Sequence, residues 1–242
     1  MRMALPIRKR RLEHHPENER MIEAGGVRDV MLGLNDGLVA TFAVTSGVGA
    51  AFTAASVVIM AGVAEMLGGS ISMGAAAFIS SRSQLEFYQS EIARERDEIT
   101  RWPERERDEV RAIYRNKGFR GNLLDDIVAH ITADRERWSD VMMREELGLH
   151  SESLETPWRS ALRVGFSYLA GACVPIIPYI FLRPPLGVIV SASATIIALF
   201  VIGAAKTTVT ARSWWRSGLE TTAIGAIAAA VTYGAGHFFG AR

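Results

Sequence analysis

Three carboxylates stand inside the first two apolar stretches of the sequence, Asp29 and Asp36 in 27–51 and Glu65 in the middle of 54–81. A charge at the centre of a membrane helix costs about 2.5–3.5 kcal/mol on insertion scales, so such groups normally face protein or a water-filled path. Residues of this type and depth can carry a cation or a proton. The plainer reading places Asp29 at the membrane interface and has Glu65 neutralised by a proton or a hydrogen bond within a packed bundle.

A second set of acids lies in the charged stretch that follows. Glu91, Glu95 and Glu98 recur at i, i+4 and i+7, Glu106 and Glu109 at i and i+3, and Met142, Met143 and Glu146 fall within about one turn of each other. On a helix these spacings put side chains on one face. Oxygen donors with thioether sulfur beside them can make a cage for a divalent metal ion. Arg94, Arg96, Arg101, Arg105 and Arg107 are interleaved with the acids, so ordinary helical ion pairs are the competing account. Methionines at 142 and 143 are also common packing residues.

The elements that must position these residues follow from the distribution of charge. Lys, Arg, Asp and Glu crowd into residues 1–29 and 82–160, whereas 37–81, 161–205 and 217–239 are almost free of Lys and Arg. Crossing a bilayer takes about 20 mainly apolar residues. Five stretches approach that length, 27–51, 54–81, 161–182, 185–206 and 217–239. The expected fold is therefore all-α, a polytopic membrane protein with five transmembrane helices. The side that retains Lys and Arg is normally cytosolic. The N-terminal tail, the insertion after the second span, and Lys206, Arg212 and Arg216 share one side of a five-span arrangement, leaving Arg183 and Arg242 on the other. This puts the N-terminus and the insertion in the cytosol.

The expected organisation is a basic cytosolic tail over 1–26, transmembrane helices 1–2 over 27–81, a cytosolic helical domain over 82–156, and transmembrane helices 3–5 over 157–242. The tail carries Arg8, Lys9, Arg10 and Arg11, then His14, His15 and Pro16, without the apolar core of a secretory signal. Within the insertion, helix is expected from Arg82 to about Arg115 with a break near Trp102-Pro103, and again from about Leu123 to Glu146. Glycines such as Gly47, Gly62, Gly69 and Gly74 let membrane helices approach closely. Pro175 and Pro178 mark a kink.

Other chemistries find little support. The net charge of +1 argues against a nucleic-acid partner. The single cysteine, Cys173, allows no intramolecular disulfide and reads as a small packing residue. His130, His150 and His237 stand apart, and no Glu-x-x-His pair is present, which disfavours a ferritin-like di-iron enzyme such as a ferroxidase. No phosphate-binding glycine loop, dinucleotide fingerprint or nucleophile elbow occurs, so the chain reads as no enzyme, and transport would draw on an ion gradient.

Several blocks together resemble the vacuolar iron transporter (VIT) family, from Val27 to about Gly234. They are Val27-Arg28-Asp29, Gly33-Leu34-Asn35-Asp36-Gly37-Leu38, Ala61-Gly62-Val63-Ala64-Glu65, Ser70-Ile71-Ser72-Met73-Gly74, Met142-Met143-Arg144-Glu145-Glu146-Leu147-Gly148-Leu149 and Val174-Pro175-Ile176-Ile177-Pro178-Tyr179. Their order is similar to that of the family members with a cytosolic metal-binding domain. The resemblance implies a five-helix protomer, a homodimer with its path between the two first helices, and exchange of Fe2+ for protons. It also implies a path through Asp29, Asp36, Glu65 and Met73, with Asp36 and Met73 as the central metal station. In the insertion it implies metal ligation by Glu95, Glu98, Glu106, Glu109, Met142, Met143 and Glu146. Two departures stand out, Ala75-Ala76-Ala77 after the methionine, and Arg82 where relatives commonly carry lysine.

The function expected is proton-coupled export of Fe2+ from the cytosol, with Mn2+, Co2+ and Zn2+ acceptable to the same donors and no prosthetic group. The alternative, a membrane-anchored iron-binding or buffering protein, gives no role to Asp36 and Glu65. The Ala- and Arg-rich composition without a targeting segment points to a bacterial inner membrane, and the family's eukaryotic address is the vacuolar membrane.

Overall fold

The computed structural model describes residues 16–148, 156–208 and 213–240. Among them are eight α-helices and no strand: α1 (Pro16–Ala51), α2 (Ala55–Arg101), α3 (Pro103–Asn116), α4 (Gly121–Thr132), α5 (Arg135–Glu145), α6 (Pro157–Phe181), α7 (Leu186–Ala205) and α8 (Trp214–Gly240). Arg8 to Arg11, His14, His15, His150, Arg212 and Arg242 lie outside the described residues. Two compact units result, one from the chain up to Ala77 together with Trp158 onward, the other from Phe78–Pro157.

The first unit is a bundle of α1, the first part of α2, α6, α7 and α8. Among the described residues four helices are long and apolar enough to cross a membrane: α1 over Gly25–Ala51, α2, α6 and α7. Helix α8 has 27 residues, with Gly, Ala and Thr diluting its apolar character. At 47 residues α2 is about 70 Å long, over twice the hydrocarbon core, so its charged half from Arg82 onward lies outside the apolar span. The helix of the first apolar stretch begins earlier than expected, at Pro16, so that part of the supposed tail belongs to α1. Cys173 also departs from expectation, being exposed on α6 with its sulfur 3.9 Å from that of Met66.

Helices α1 and α6 approach to backbone contact. A Cβ on Gly37 would lie 2.2 Å from the carbonyl oxygen of Tyr168, and one on Gly171 would lie 2.3 Å from that of Leu34. Small residues four apart permit this where lipid supplies no hydrophobic drive for association. Along the contact Tyr168 and Tyr179 of α6 are buried against α1, whose Thr41, Thr45 and Ser46 are also buried.

The second unit owes its turns to identifiable residues. Pro103 cannot continue the hydrogen-bonding pattern of α2, so α2 ends at Arg101 and the proline opens α3. Helix α3 ends at Asn116 and the chain turns at Gly118, at φ 100°, with Gly118 N–H donating to Arg115 O and Phe119 N–H to Tyr114 O. The Phe119 and Tyr114 rings then meet at 5.9 Å with a tilt of 48°, an apolar contact that commonly accompanies this glycine-terminated helix end. The single helix expected over Leu123 to Glu146 is instead two. Asp134 is extended and its carboxylate accepts the Arg137 backbone N–H at 2.9 Å, capping α5 and separating it from α4. The core gathers Ile99, Val110, Leu124, Val128, Ile131, Trp138 and Met142 from α2, α3, α4 and α5.

Gly37→Ala should cost about 1–3 kcal/mol through overpacking against a rigid backbone. Gly68, whose Cβ would meet nothing within 4 Å, supplies the control. Thermal unfolding of the detergent-solubilised protein should show a lowered Tm for Gly37→Ala and none for Gly68→Ala.

Candidate metal centre

In the bundle, α1, α2 and α6 converge on one carboxylate. Glu65 of α2 accepts a hydrogen bond from Thr41 Oγ1 of α1 at 2.5 Å and another from the Tyr168 hydroxyl of α6 at 2.5 Å. Gly69, one turn beyond Glu65, makes room for this. A Cβ there would stand 2.1 Å from the Tyr168 hydroxyl. Asp36 is half-buried, and its carboxylate lies close enough to Glu65 for the two to repel. Met73 is half-buried on α2, roughly two turns beyond Glu65. Asp29 sits roughly two turns before Asp36 on α1, with one carboxylate oxygen buried and without a partner among the described residues.

Thr41 and Tyr168 were not singled out from sequence. A tyrosine in an apolar run must find a partner for its hydroxyl. That the partner is Glu65, 103 residues away, depends on the helix packing.

In the second unit, one carboxylate oxygen each from Glu95, Glu98 and Glu106 lies within 4.8 Å of the others. Oxygens bound to one divalent ion at about 2.0–2.6 Å stand no more than about 5 Å apart, so the grouping fits a single ion. Glu95 is 2% exposed and Glu106 1%, and both carry buried oxygens without a hydrogen-bond partner among the described residues. The charges of Glu109 and Glu146 also act on both Glu95 and Glu106. Glu146 is exposed at the end of α5 and stands at the rim.

The interleaved arginines do make the helical pairs that spacing allows, chiefly with other acids. Arg94 meets Glu91 at 2.7 Å, Arg101 meets Asp97 at 2.9 Å and Arg107 meets Glu104 at 2.8 Å. Arg105 reaches Glu109 at 3.1 Å, and Arg94 comes within 4.0 Å of Glu98. Thus the acids divide into an outer set neutralised by arginine and an inner set, Glu95 and Glu106, that no arginine reaches with a salt bridge among the described residues. Burial pushes the Glu95 carboxyl up to about 8, with the charges of Glu106, Glu146, Glu98 and Glu109 adding to it. Glu106 is raised first by burial and then by Glu109, Glu98 and Glu146, against the pull of Arg105.

The two methionines differ. Met142 belongs to the apolar core with Ile99, Val110 and Trp138, whereas Met143, 2% exposed, is buried outside that cluster. His130 is exposed, with Nε2 2.8 Å from an Arg137 guanidinium nitrogen, and takes no part in the grouping.

The VIT family model matches residues 27–237, a stretch containing both groups of acids. The chain belongs to the VIT family. Vacuolar iron transporter 1 of Arabidopsis thaliana is 35% identical over 230 residues, covering 94% of this chain and 91% of that protein. Vacuolar iron transporter 1 of Oryza sativa subsp. japonica is 35% identical over 223 residues, covering 91% and 88%. Protein CCC1 of Saccharomyces cerevisiae is 28% identical over 223 residues, covering 88% and 67%. As a VIT-family chain with apolar helices of spanning length, it is an integral membrane protein.

A carboxyl raised in the folded state keeps its proton where the unfolded chain has released it. The stability contributed by Glu95 is therefore full below about pH 4.5 and is lost as pH rises towards about 8. In chelator, the protein should unfold more readily at pH 8 than at pH 6, and Glu95→Gln should flatten that dependence. A saturating divalent ion at pH 8 should restore stability by mass action, read as a raised Tm in the parent and a smaller rise in the variant.

Proposed function

We propose that this protein exports Fe2+ from the cytosol in exchange for protons, with donors that also accept Mn2+, Co2+ and Zn2+. The observation that carries the reading is the gathering of carboxylates away from full contact with solvent in both parts of the chain, the half-buried Glu65 and Asp36, whose charges repel, in the bundle and the buried Glu95 and Glu106 in the charged unit. Like charges held together away from water call for a cation or a proton between them. Relatives named vacuolar iron transporters supply the metal.

In this reading the protein crosses the membrane five times, with α8 as the fifth span. Its outward row of Ile224, Ile227, Val231 and Phe238, all exposed, suits contact with lipid. The N-terminus and the unit of Phe78–Pro157 are cytosolic, and that unit is a metal-binding domain that gathers the ion with Glu95, Glu98, Glu106, Glu109, Met143 and Glu146, Met142 serving both core and site. Two copies form a homodimer with the path between their first helices. Asp29 guides the ion to Asp36 and Met73, where carboxylate oxygen holds the divalent charge and thioether sulfur favours Fe2+ over Ca2+ and Mg2+.

Proton coupling follows from competition for the same oxygens. A proton arriving from the far side on Asp36 or Glu65 weakens metal binding, and its departure to the cytosol restores the site. Tyr168 and Thr41 hold Glu65 in one position through both states, so the exchange needs little rearrangement. In a bacterial host the membrane is the inner one, and in a eukaryotic host the vacuolar one.

The test is anaerobic Fe2+ flux into liposomes under an imposed pH gradient. The parent should take up Fe2+ in step with the gradient and move protons the other way. Asp36→Ala should abolish flux in a folded protein, and Glu95→Ala or Met143→Ala should reduce it without abolishing it. Normal flux in Asp36→Ala would refute the central station, and tight Fe2+ binding without flux would identify an anchored buffer.

A further inference from the structure

Close contacts fix the direction and level of three helices in the bundle. A Cβ on Gly33 of α1 would meet the Val164 carbonyl of α6, and one on Gly49 would lie 3.2 Å from the Tyr179 hydroxyl. A Cβ on Gly225 of α8 would lie 3.6 Å from the Val39 side chain, and one on Gly236 would meet the Gly47 carbonyl. Rising numbers on α1 therefore run beside rising numbers on both α6 and α8, and the three helices are parallel. Trp158 precedes Val164 by six residues and Trp215 precedes Gly225 by ten. Both indoles thus start at the level of the α1 turn that holds Arg28 and Asp29.

Trp158, Trp214 and Trp215 are all exposed, each in the first turn of its helix. Exposed arginines follow them, Arg159 on α6 and Arg216 on α8, the latter with its guanidinium 5.3 Å from the Trp215 ring. At the opposite ends stand the exposed rings of Phe181 and Phe238. Trp158 to Phe181 and Trp215 to Phe238 are both steps of 23 residues, about 35 Å of helix, which matches a hydrocarbon core of about 30 Å with a margin at each side. Between these ends the exposed large side chains include Leu162, Phe166 and Ile177 on α6 and Leu219, Ile227 and Val231 on α8. Gly37, which meets α6, and Val39, which meets α8, are two residues apart on α1, so the two helices take different faces of it. The indoles therefore share a level and not a patch, as contact with a plane requires.

We propose that Trp158, Trp214 and Trp215 form one indole belt that docks at the boundary between headgroups and acyl chains of a single bilayer leaflet. Indoles favour that level because the ring is apolar and its N–H finds a polar partner there. The ester carbonyls of any glycerophospholipid supply that partner, so the belt needs no particular headgroup charge. Its position has a consequence for the acids of the bundle. Asp29 falls within the headgroup zone, Asp36 lies seven residues or about 10 Å deeper, and Thr41, which holds Glu65, lies twelve residues or about 18 Å deeper. The belt thus keeps Asp36 and Glu65 on either side of the bilayer midplane. This inference rests on the chain being an integral membrane protein and does not depend on transport or on either metal site.

The experiment is tryptophan fluorescence of the full chain in phosphatidylcholine vesicles whose acyl chains carry bromine either near the carbonyls or near the chain end. Bromine near the carbonyls should quench more strongly than bromine near the chain end. That excess should fall at least twofold when Trp158→Phe, Trp214→Phe and Trp215→Phe are combined, the remaining emission coming from Trp102 and Trp138 of the charged unit. Equal or stronger quenching by the deep bromines, or an undiminished excess in the folded triple variant, would overturn the proposal. Absence of quenching by either lipid, as a second copy covering the indoles would give, would overturn it too. Should the triple variant fail to fold, Trp158→Phe alone and Trp214→Phe with Trp215→Phe decide, since an undiminished excess in either would break the single level.

Discussion

The constraint on which this protein depends is the cost of taking carboxylates out of water. An ionised carboxylate in apolar surroundings loses far more hydration than a single contact returns, so it must be hydrogen-bonded, paired or protonated. The two units answer differently. In the bundle, Glu65 receives two hydroxyl donors from two other helices, which fixes its position without cancelling its charge. In the charged unit, Glu95 and Glu106 are buried against one another with oxygens left unpartnered among the described residues. The first arrangement gives its central acid two partners, whereas the second leaves buried oxygens without a partner among the described residues.

Backbone proximity makes the first arrangement possible. Tyr168 reaches Glu65 because Gly69 leaves the space its ring occupies, and because Gly37 and Gly171 let α6 lie directly against α1. The same approach buries Thr41 at the level of Glu65. Glycines that look like generic helix-packing residues are thereby tied to the geometry of a single acid. Comparable logic holds in the charged unit, where Pro103 ends α2 and Asp134 separates α4 from α5. Those two breaks allow three helices to bring acids to one place around a small apolar core.

Charge is also segregated by sign. The acids gather in the bundle centre and in the inner cluster, and most arginines of the charged unit sit on its surface in short helical pairs. Exposed pairs of that kind contribute little stability each, about 0.3–0.5 kcal/mol. Their larger effect is to occupy the arginines, so that none bridges Glu95 or Glu106 among the described residues.

The sequence by itself determined the helical class, the apolar segments, the break at Trp102-Pro103 and nearly all the acids of interest. These are local properties: apolar run length, proline chemistry, and a helical period that puts Glu95 and Glu98 on one face. It also showed the interleaved arginines without showing which acids they would neutralise. Only the tertiary structure decided that Arg94, Arg101 and Arg107 turn to Glu91, Asp97 and Glu104, that Glu95 and Glu106 are buried together, and that Met142 packs in the core while Met143 lies outside it. The same holds for Thr41 and Tyr168, whose contacts with Glu65 span 24 and 103 residues. The physical reason is that spacing along one helix specifies a shared face, whereas burial and charge pairing depend on which other helix covers that face.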